Sequence, residues 1–106
     1  MLSKKELNKL KQYTKGDLKE FLTIFEALSD ENRCKMFRIF AKQKGNICVS
    51  DFAKILGLTL AGTSQHLKIL ERADIIKRIK KGKMVCYEIN KNNKIIRSLL
   101  KVLNNK

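Results

Sequence analysis

The chain has 106 residues, 43% of them hydrophobic, and a formal net charge of +14 from 24 Lys and Arg against 10 Asp and Glu. That length suits one domain, 1–106, able to bury a core without staples, and the apolar fraction excludes a disordered chain. Apolar runs such as Ile47-Cys48-Val49 fall far short of the roughly 20 residues of a membrane span, and Met1 to Lys5 carries no apolar signal-peptide core, so a cytoplasmic protein with no membrane partner is expected.

Leu7, Leu10 and Tyr13 form a thin helical stripe over Lys4 to Tyr13, which Gly16 interrupts. Asp17 can cap a second helix through Leu28, with Leu18, Phe21, Leu22, Phe25 and Leu28 at helical spacing. A third helix is expected from Glu31 to about Lys44, with Cys34, Met36, Phe37, Phe40 and Ala41 inward and Gly45-Asn46 ending it. A short helix then runs from Asp51 to Leu56 and stops at Gly57. Thr59 can cap the next one, to about Ala73, with Thr63, Leu67 and Leu70 inward. Two short helices around a glycine turn are a helix-turn-helix signature. Beyond Asp74, alternating residues flank Lys81-Gly82-Lys83, which reads as a β-hairpin with Val85, Tyr87 and Ile89 inward. Asn90 to Asn93 leads into a last helix carrying Ile95, Ile96, Leu99, Leu100 and Leu103.

Helices, a helix-turn-helix and a basic hairpin, in that order, predict a mainly α winged helix-turn-helix fold. The excess of cations predicts a polyanionic partner, and this fold makes it double-stranded DNA. An A·T-rich coding bias accounts for Lys over Arg but not for the missing acids. A recognition helix enters the major groove, where base edges differ, and the hairpin meets backbone or minor groove. Lys77, Arg78, Lys80, Lys81 and Lys83 crowd seven wing residues. On the recognition helix, Thr59, Ser64, Gln65 and His66 lie opposite the inward stripe, with Lys68 a turn on. Gln65 suits adenine, Ser64 a base or a phosphate, and His66 a phosphate. Gly62 costs the helix about 1 kcal/mol against alanine; close approach to DNA and neutral drift both account for it.

These residues carry a family resemblance. Phe25-Glu26-Ala27-Leu28-Ser29-Asp30-Glu31-Asn32-Arg33 resembles the entrance motif of the ArsR/SmtB repressors, and Ile47-Cys48-Val49-Ser50-Asp51-Phe52 their cysteine segment. Gly57 to Leu70 is similar to their recognition helix, and Lys81-Gly82-Lys83-Met84-Val85-Cys86-Tyr87 to their wing. The resemblance spans about residues 21–90. It implies DNA contact at Thr59, Ala61, Gly62, Ser64, Gln65 and His66, and a homodimer through the first and last helices. Ala61-Gly62 replaces two polar residues of the motif, which implies a different operator preference. In metal-sensing members a Cys-Val-Cys pair binds thiophilic metal; here Ser50 replaces the second cysteine. Asn92 to Lys106 contains no His, Asp, Glu or Cys, so no zinc site of the kind found on the family's last helix is expected, and no cofactor.

The cysteines Cys34, Cys48 and Cys86 are odd in number and widely spaced, a poor disulfide framework that predicts reduced thiols. Cys34 and Cys48 should stand at opposite ends of the third helix, about 15 Å apart. Cys86 is expected on the outer face of the wing strand, exposed and beside lysines. Cys48 and Cys86 are therefore the candidate sensing thiols. The sequence reads as a DNA-binding repressor with an inverted-repeat operator and no standard metal site. Its rivals are a thiol-redox-responsive regulator, a winged helix used for protein contact, and a basic packaging or peripheral membrane protein. One His and no Gly-rich phosphate loop argue against an enzyme.

Overall fold

The computed structural model describes residues 1–105; Lys106, the last residue of the expected domain, lies outside the described residues. The elements run α1 (Lys4–Lys11), α2 (Lys19–Leu28), α3 (Glu31–Lys42), β1 (Ile47–Cys48), α4 (Val49–Leu56), α5 (Leu60–Arg72), β2 (Ile76–Lys81), β3 (Met84–Ile89) and α6 (Lys94–Asn104). A 3₁₀ turn, Gln12–Thr14, follows α1.

Capping chemistry fixes most helix starts. Ser3 and Glu6 close a reciprocal box at α1. Asp17 accepts from the Lys19 amide at 2.8 Å, so its carboxylate serves α2 although Leu18 holds the cap position. Thr59 Oγ1 accepts from the Gly62 amide at 3.0 Å, and Asn93 Oδ1 from the Ile95 amide at 3.0 Å. Gly57, at φ 66°, takes the left-handed conformation that ends α4. A Cβ on Gly62 would stand 3.0 Å from Thr59 Oγ1, so this glycine makes room for the cap of its own helix.

At α3, Asp30 Oδ2 accepts from the Arg33 amide at 3.0 Å, and that bond holds the Asp30 carboxyl below its ordinary value of 3.8. A carboxyl depressed on folding stabilises the native state above its unfolded pKa and loses that contribution as pH falls through the folded one. Asp30→Ala should therefore lower stability by about 1 kcal/mol at pH 7. The gap to wild type should close as thermal melts are taken below about pH 4.

The core forms where the α3 face Met36, Phe37 and Phe40 meets Phe52 of α4 and Leu67 and Leu70 of α5. The Phe40 and Phe52 rings pack at 5.1 Å between centroids. Ile75, Ile76 and Tyr87 close it from the sheet, Ile24 from α2 and Ile96 from α6. The inward stripe Thr63, Leu67, Leu70 is fully buried, as its spacing predicts. The hairpin pairs antiparallel from Ile76↔Ile89 to Lys81↔Met84. Only Gly82 and Lys83 form its turn, and Gly82 at φ 59° supplies the positive φ such a turn requires.

β1 was not expected. It pairs with β3 through Ile47↔Tyr87 and Cys48↔Cys86, giving an antiparallel sheet of order β1-β3-β2. This overturns the reading of the cysteines as unpaired thiols: Cys48 and Cys86 are joined by a disulfide, and Cys34, half-buried on α3, stays free. The expectation that Cys86 is exposed is also corrected. Its side chain does point away from the Val85/Tyr87 face, but there it is bonded to Cys48 of the adjacent β1 and none of it reaches solvent.

The apolar stripe of α2 is not spent on this core. Ile24 and Ala27 are buried, while Leu18, Phe21, Leu22 and Phe25 remain 44–63% exposed. Helix α1 buries no residue. The chain is correspondingly elongated, 61 × 25 × 24 Å.

Candidate nucleic-acid interface

Burying Thr63, Leu67 and Leu70 fixes the rotation of α5. It leaves Ala61, Ser64, Gln65 and Lys68, one helical face at i, i+3, i+4 and i+7, turned away from the core. Gln65, Ala61 and Lys68 are exposed, and Ser64 and Gly62 are half-buried. Thr59 stands exposed at the helix start, its carbonyl accepting from Thr63 Oγ1 at 2.7 Å. Exposed Leu60 beside Ala61 was missed by the sequence reading; at the first turn of α5 it offers an apolar contact for a thymine methyl.

The wing stands across a cleft of about 560 Å³ from this face. Ala61, Ser64 and Lys68 form one wall, and Arg78, Met84 and Val85 the other. Lys80, Lys81 and Lys83 continue outward along the hairpin, all exposed. In the hairpin ladder Arg78 and Lys80 share the face of Tyr87 and Val85, toward the cleft, and Lys81 lies on the opposite face. The wing thus presents cations on both faces and at its tip, which suits a phosphate backbone more than a single anion.

His66 is placed differently from the rest. It is half-buried at the edge of the face, with Nδ1 3.1 Å from an Arg33 guanidinium nitrogen and 3.8 Å from Asp30 Oδ2. A guanidinium only donates, so Nδ1 accepts and the ring proton resides on Nε2. Arg33 also donates through Nε to the Ala27 carbonyl at 2.7 Å. The Asp30–Arg33–His66 cluster therefore ties the recognition helix to the α2–α3 corner and leaves Nε2–H as the imidazole's outward donor. The sequence reading missed this tie; its only trace is the family-like Ser29-Asp30-Glu31-Asn32-Arg33 run, whose partner lies 33 positions away.

A buried stripe that aims a polar helix face outward, beside a two-stranded basic hairpin, defines a winged helix-turn-helix protein of the DNA-binding kind. Comparison with known proteins agrees. A family model described as a helix-turn-helix domain matches residues 28–79. The chain is 35% identical over 78 residues to the arsenical resistance operon repressor of Bacillus subtilis (strain 168), covering 73% of each chain. It is 34% identical over 80 residues to a cadmium resistance transcriptional regulatory protein CadC homolog of Staphylococcus aureus, covering 76% of this chain but 65% of that one. The chain thus spans just under two thirds of that relative's length. Among solved structures, a homodimeric winged helix-turn-helix DNA-binding domain from Mycobacterium bovis superposes with a TM-score of 0.68 at 17% identity, covering 99% of this chain and 86% of that one. The chain belongs to the ArsR/SmtB family of helix-turn-helix transcriptional regulators, a family of regulators rather than enzymes.

Proposed function

We propose that this chain acts in the cytoplasm as a homodimeric repressor that reads an inverted-repeat operator with α5 and grips the adjacent backbone with its wing. The observation that carries the proposal is the cleft between the exposed Ala61–Ser64–Gln65–Lys68 face and the basic hairpin. Gln65 and Ser64 read base edges, while Thr59 and His66 take phosphates at the groove margin. Gly62 keeps the helix slim where Ala61 approaches the duplex. Lys68, Lys80, Lys81 and Lys83 supply charge.

The dimer is supported by the exposed α2 stripe and by α1, whose eight residues make a helix that would be marginal alone in water. Ile95, Leu99 and Leu103 on α6, only partly covered by the core, continue the apolar surface. The M. bovis domain is described as homodimeric, and two recognition helices about 34 Å apart fit successive major grooves. The reading includes no standard metal site: Ser50 stands where the family's second cysteine would, and the last helix has no liganding side chain.

Selection from a pool of randomised duplexes tests the proposal. It should recover an inverted repeat with half-sites about one helical turn apart. Gln65→Ala should recover a repeat altered at one position per half-site, with discrimination there weakened by about 1–3 kcal/mol. Recovery of random sequence with undiminished binding would reject sequence-specific recognition.

A further inference from the structure

We propose that Cys48 and Cys86 are a reversible oxidation site whose disulfide locks the wing to the helix-turn-helix and raises affinity for DNA, an inference that rests on the DNA-binding reading above. The two cysteines lie 38 residues apart in sequence, yet they are direct ladder partners with α-carbons 3.7 Å apart. Direct ladder partners carry their side chains on the same face, which is what brings the two sulfurs together. Cys48 ends β1 and caps α4, the first helix of the helix-turn-helix; Cys86 lies within the wing strand β3. With β1 only two residues long, Ile47↔Tyr87 and Cys48↔Cys86 are the strand pairing between these two units among the described residues, beside the packing of α4 and α5 on the hairpin. The bond stands at that joint.

The two sulfurs differ in access, which assigns their roles. Cys48 is half-buried, whereas Cys86 is fully enclosed. A small oxidant meets the less buried Cys48 first. With hydrogen peroxide as oxidant, the Cys48 thiolate attacks one peroxide oxygen and the O–O bond breaks. A sulfenic acid forms, and the departing hydroxide takes up a proton and becomes water. The Cys86 sulfur then attacks Cys48 Sγ, the S–O bond breaks, and the oxygen leaves as a second water with the Cys86 proton. Two thiols and one peroxide yield one disulfide and two waters. A dithiol reductant reverses the bond by exchange at the accessible Cys48 sulfur. In a reducing compartment such disulfides are transient and serve as sensors.

The consequence for DNA follows from what the bond restrains. With the disulfide formed, Lys80, Lys81 and Lys83 are carried by a hairpin anchored on both sides. Reduced, the hairpin keeps only the short β1 ladder on that edge and must be ordered when DNA binds. Pre-organising it should tighten binding roughly three- to tenfold.

The test uses the full chain and the duplex recovered by the selection above. Peroxide-treated protein is alkylated with iodoacetamide and its peptides are mapped. The expected product is a Cys48–Cys86 cross-link within one protomer, with Cys34 alkylated. Oxidised protein should bind three- to tenfold more tightly than protein reduced with dithiothreitol, and reduction should reverse the gain. Cys48→Ser should hold the reduced affinity under peroxide, and Cys34→Ser should switch like wild type. Cys86→Ala should match Cys48→Ser. Because Cys86 is buried, the Cys48 variant and the peptide map decide the matter if Cys86→Ala misfolds. Full alkylation of Cys48 and Cys86 after peroxide, or a cross-link that leaves affinity unchanged, would overturn the proposal. Absence of binding in both redox states would instead overturn the DNA-binding reading beneath it.

Discussion

Replacing Lys80, Lys81 and Lys83 together by alanine is expected to weaken binding to the selected operator by a hundredfold or more, and to weaken binding to random duplex alike. These side chains are exposed on a hairpin that points past the core, so their loss leaves the fold intact. A dimer that neutralises on the order of 8 phosphates should show log K falling against log[salt] with a slope near −7. The triple variant removes three cations per protomer, and each phosphate no longer neutralised makes the slope shallower by about 0.9. The variant's slope should therefore drop to about −2, while the base preference set by Gln65 and Ser64 stays the same. Titrations at several salt concentrations read both quantities. An unchanged affinity and slope would take the wing out of the interface.

Placing glutamate at both Leu22 and Phe25 should have an effect at least as large, without altering any residue that meets DNA. Leu18 at the cap and Phe21, Leu22 and Phe25 on α2 lie at i, i+3, i+4 and i+7, 44–63% exposed, with the Phe21 and Phe25 rings 5.8 Å apart. Such a stripe on one chain is unfinished core: covering it removes apolar surface worth about 25 cal/mol per Å². Carboxylates in its midst would have to be buried unpaired, which an interface does not tolerate. The variant should be a monomer by light scattering at micromolar concentration, while the wild type is a dimer. With the two recognition helices unlinked, the second half-site loses its effective concentration, and operator affinity should fall by about 10²–10⁴. Its melting temperature, taken at concentrations where the monomer is complete, reports whether the domain itself survives. A wild-type chain that is monomeric at micromolar concentration would remove the basis of this prediction and of the inverted repeat.

Local rules made most of the architecture legible. The third helix begins at Glu31 because Asp30 precedes it, and α5 runs Leu60–Arg72 because Thr59 caps it and Thr63, Leu67 and Leu70 keep one face. The hairpin followed from alternation around Gly82. What escaped the sequence was non-local. β1 is too short to show alternation, and its existence depends on β3, which offers a free edge 38 residues later. The pairing of Cys48 with Cys86 is a consequence of that register, so counting and spacing cysteines pointed the wrong way. The burial of Cys86 has the same origin. Spacing did identify it as lying opposite Val85 and Tyr87, but only the register with the third strand shows Cys48 bonded to it there.

The candidate site divides in the same manner. The outward positions Ala61, Ser64, Gln65 and Lys68 follow from helical periodicity once the inward stripe is recognised. The wing cations follow from composition. The Arg33–His66 hydrogen bond does not, because it joins α3 to α5 through a tertiary contact. Asn93 is a similar case. The sequence placed it at the head of the last helix. The structure adds that its amide reaches Glu20 on α2 at 3.3 Å, joining the two helices proposed to carry the dimer surface.

Hydroxyl-radical footprinting on the selected duplex tests the central claim most directly. Two copies of the chain, each with α5 in a major groove and a wing on the flanking backbone, predict protection on one face of the DNA. The protection should be related by two-fold symmetry, with major-groove centres about one helical turn apart and a further protected stretch outside each for the wing. The Lys80, Lys81 and Lys83 variant should lose the outer stretches and keep the inner ones. Protection that is asymmetric, or continuous along the duplex without a preferred face, would contradict the account.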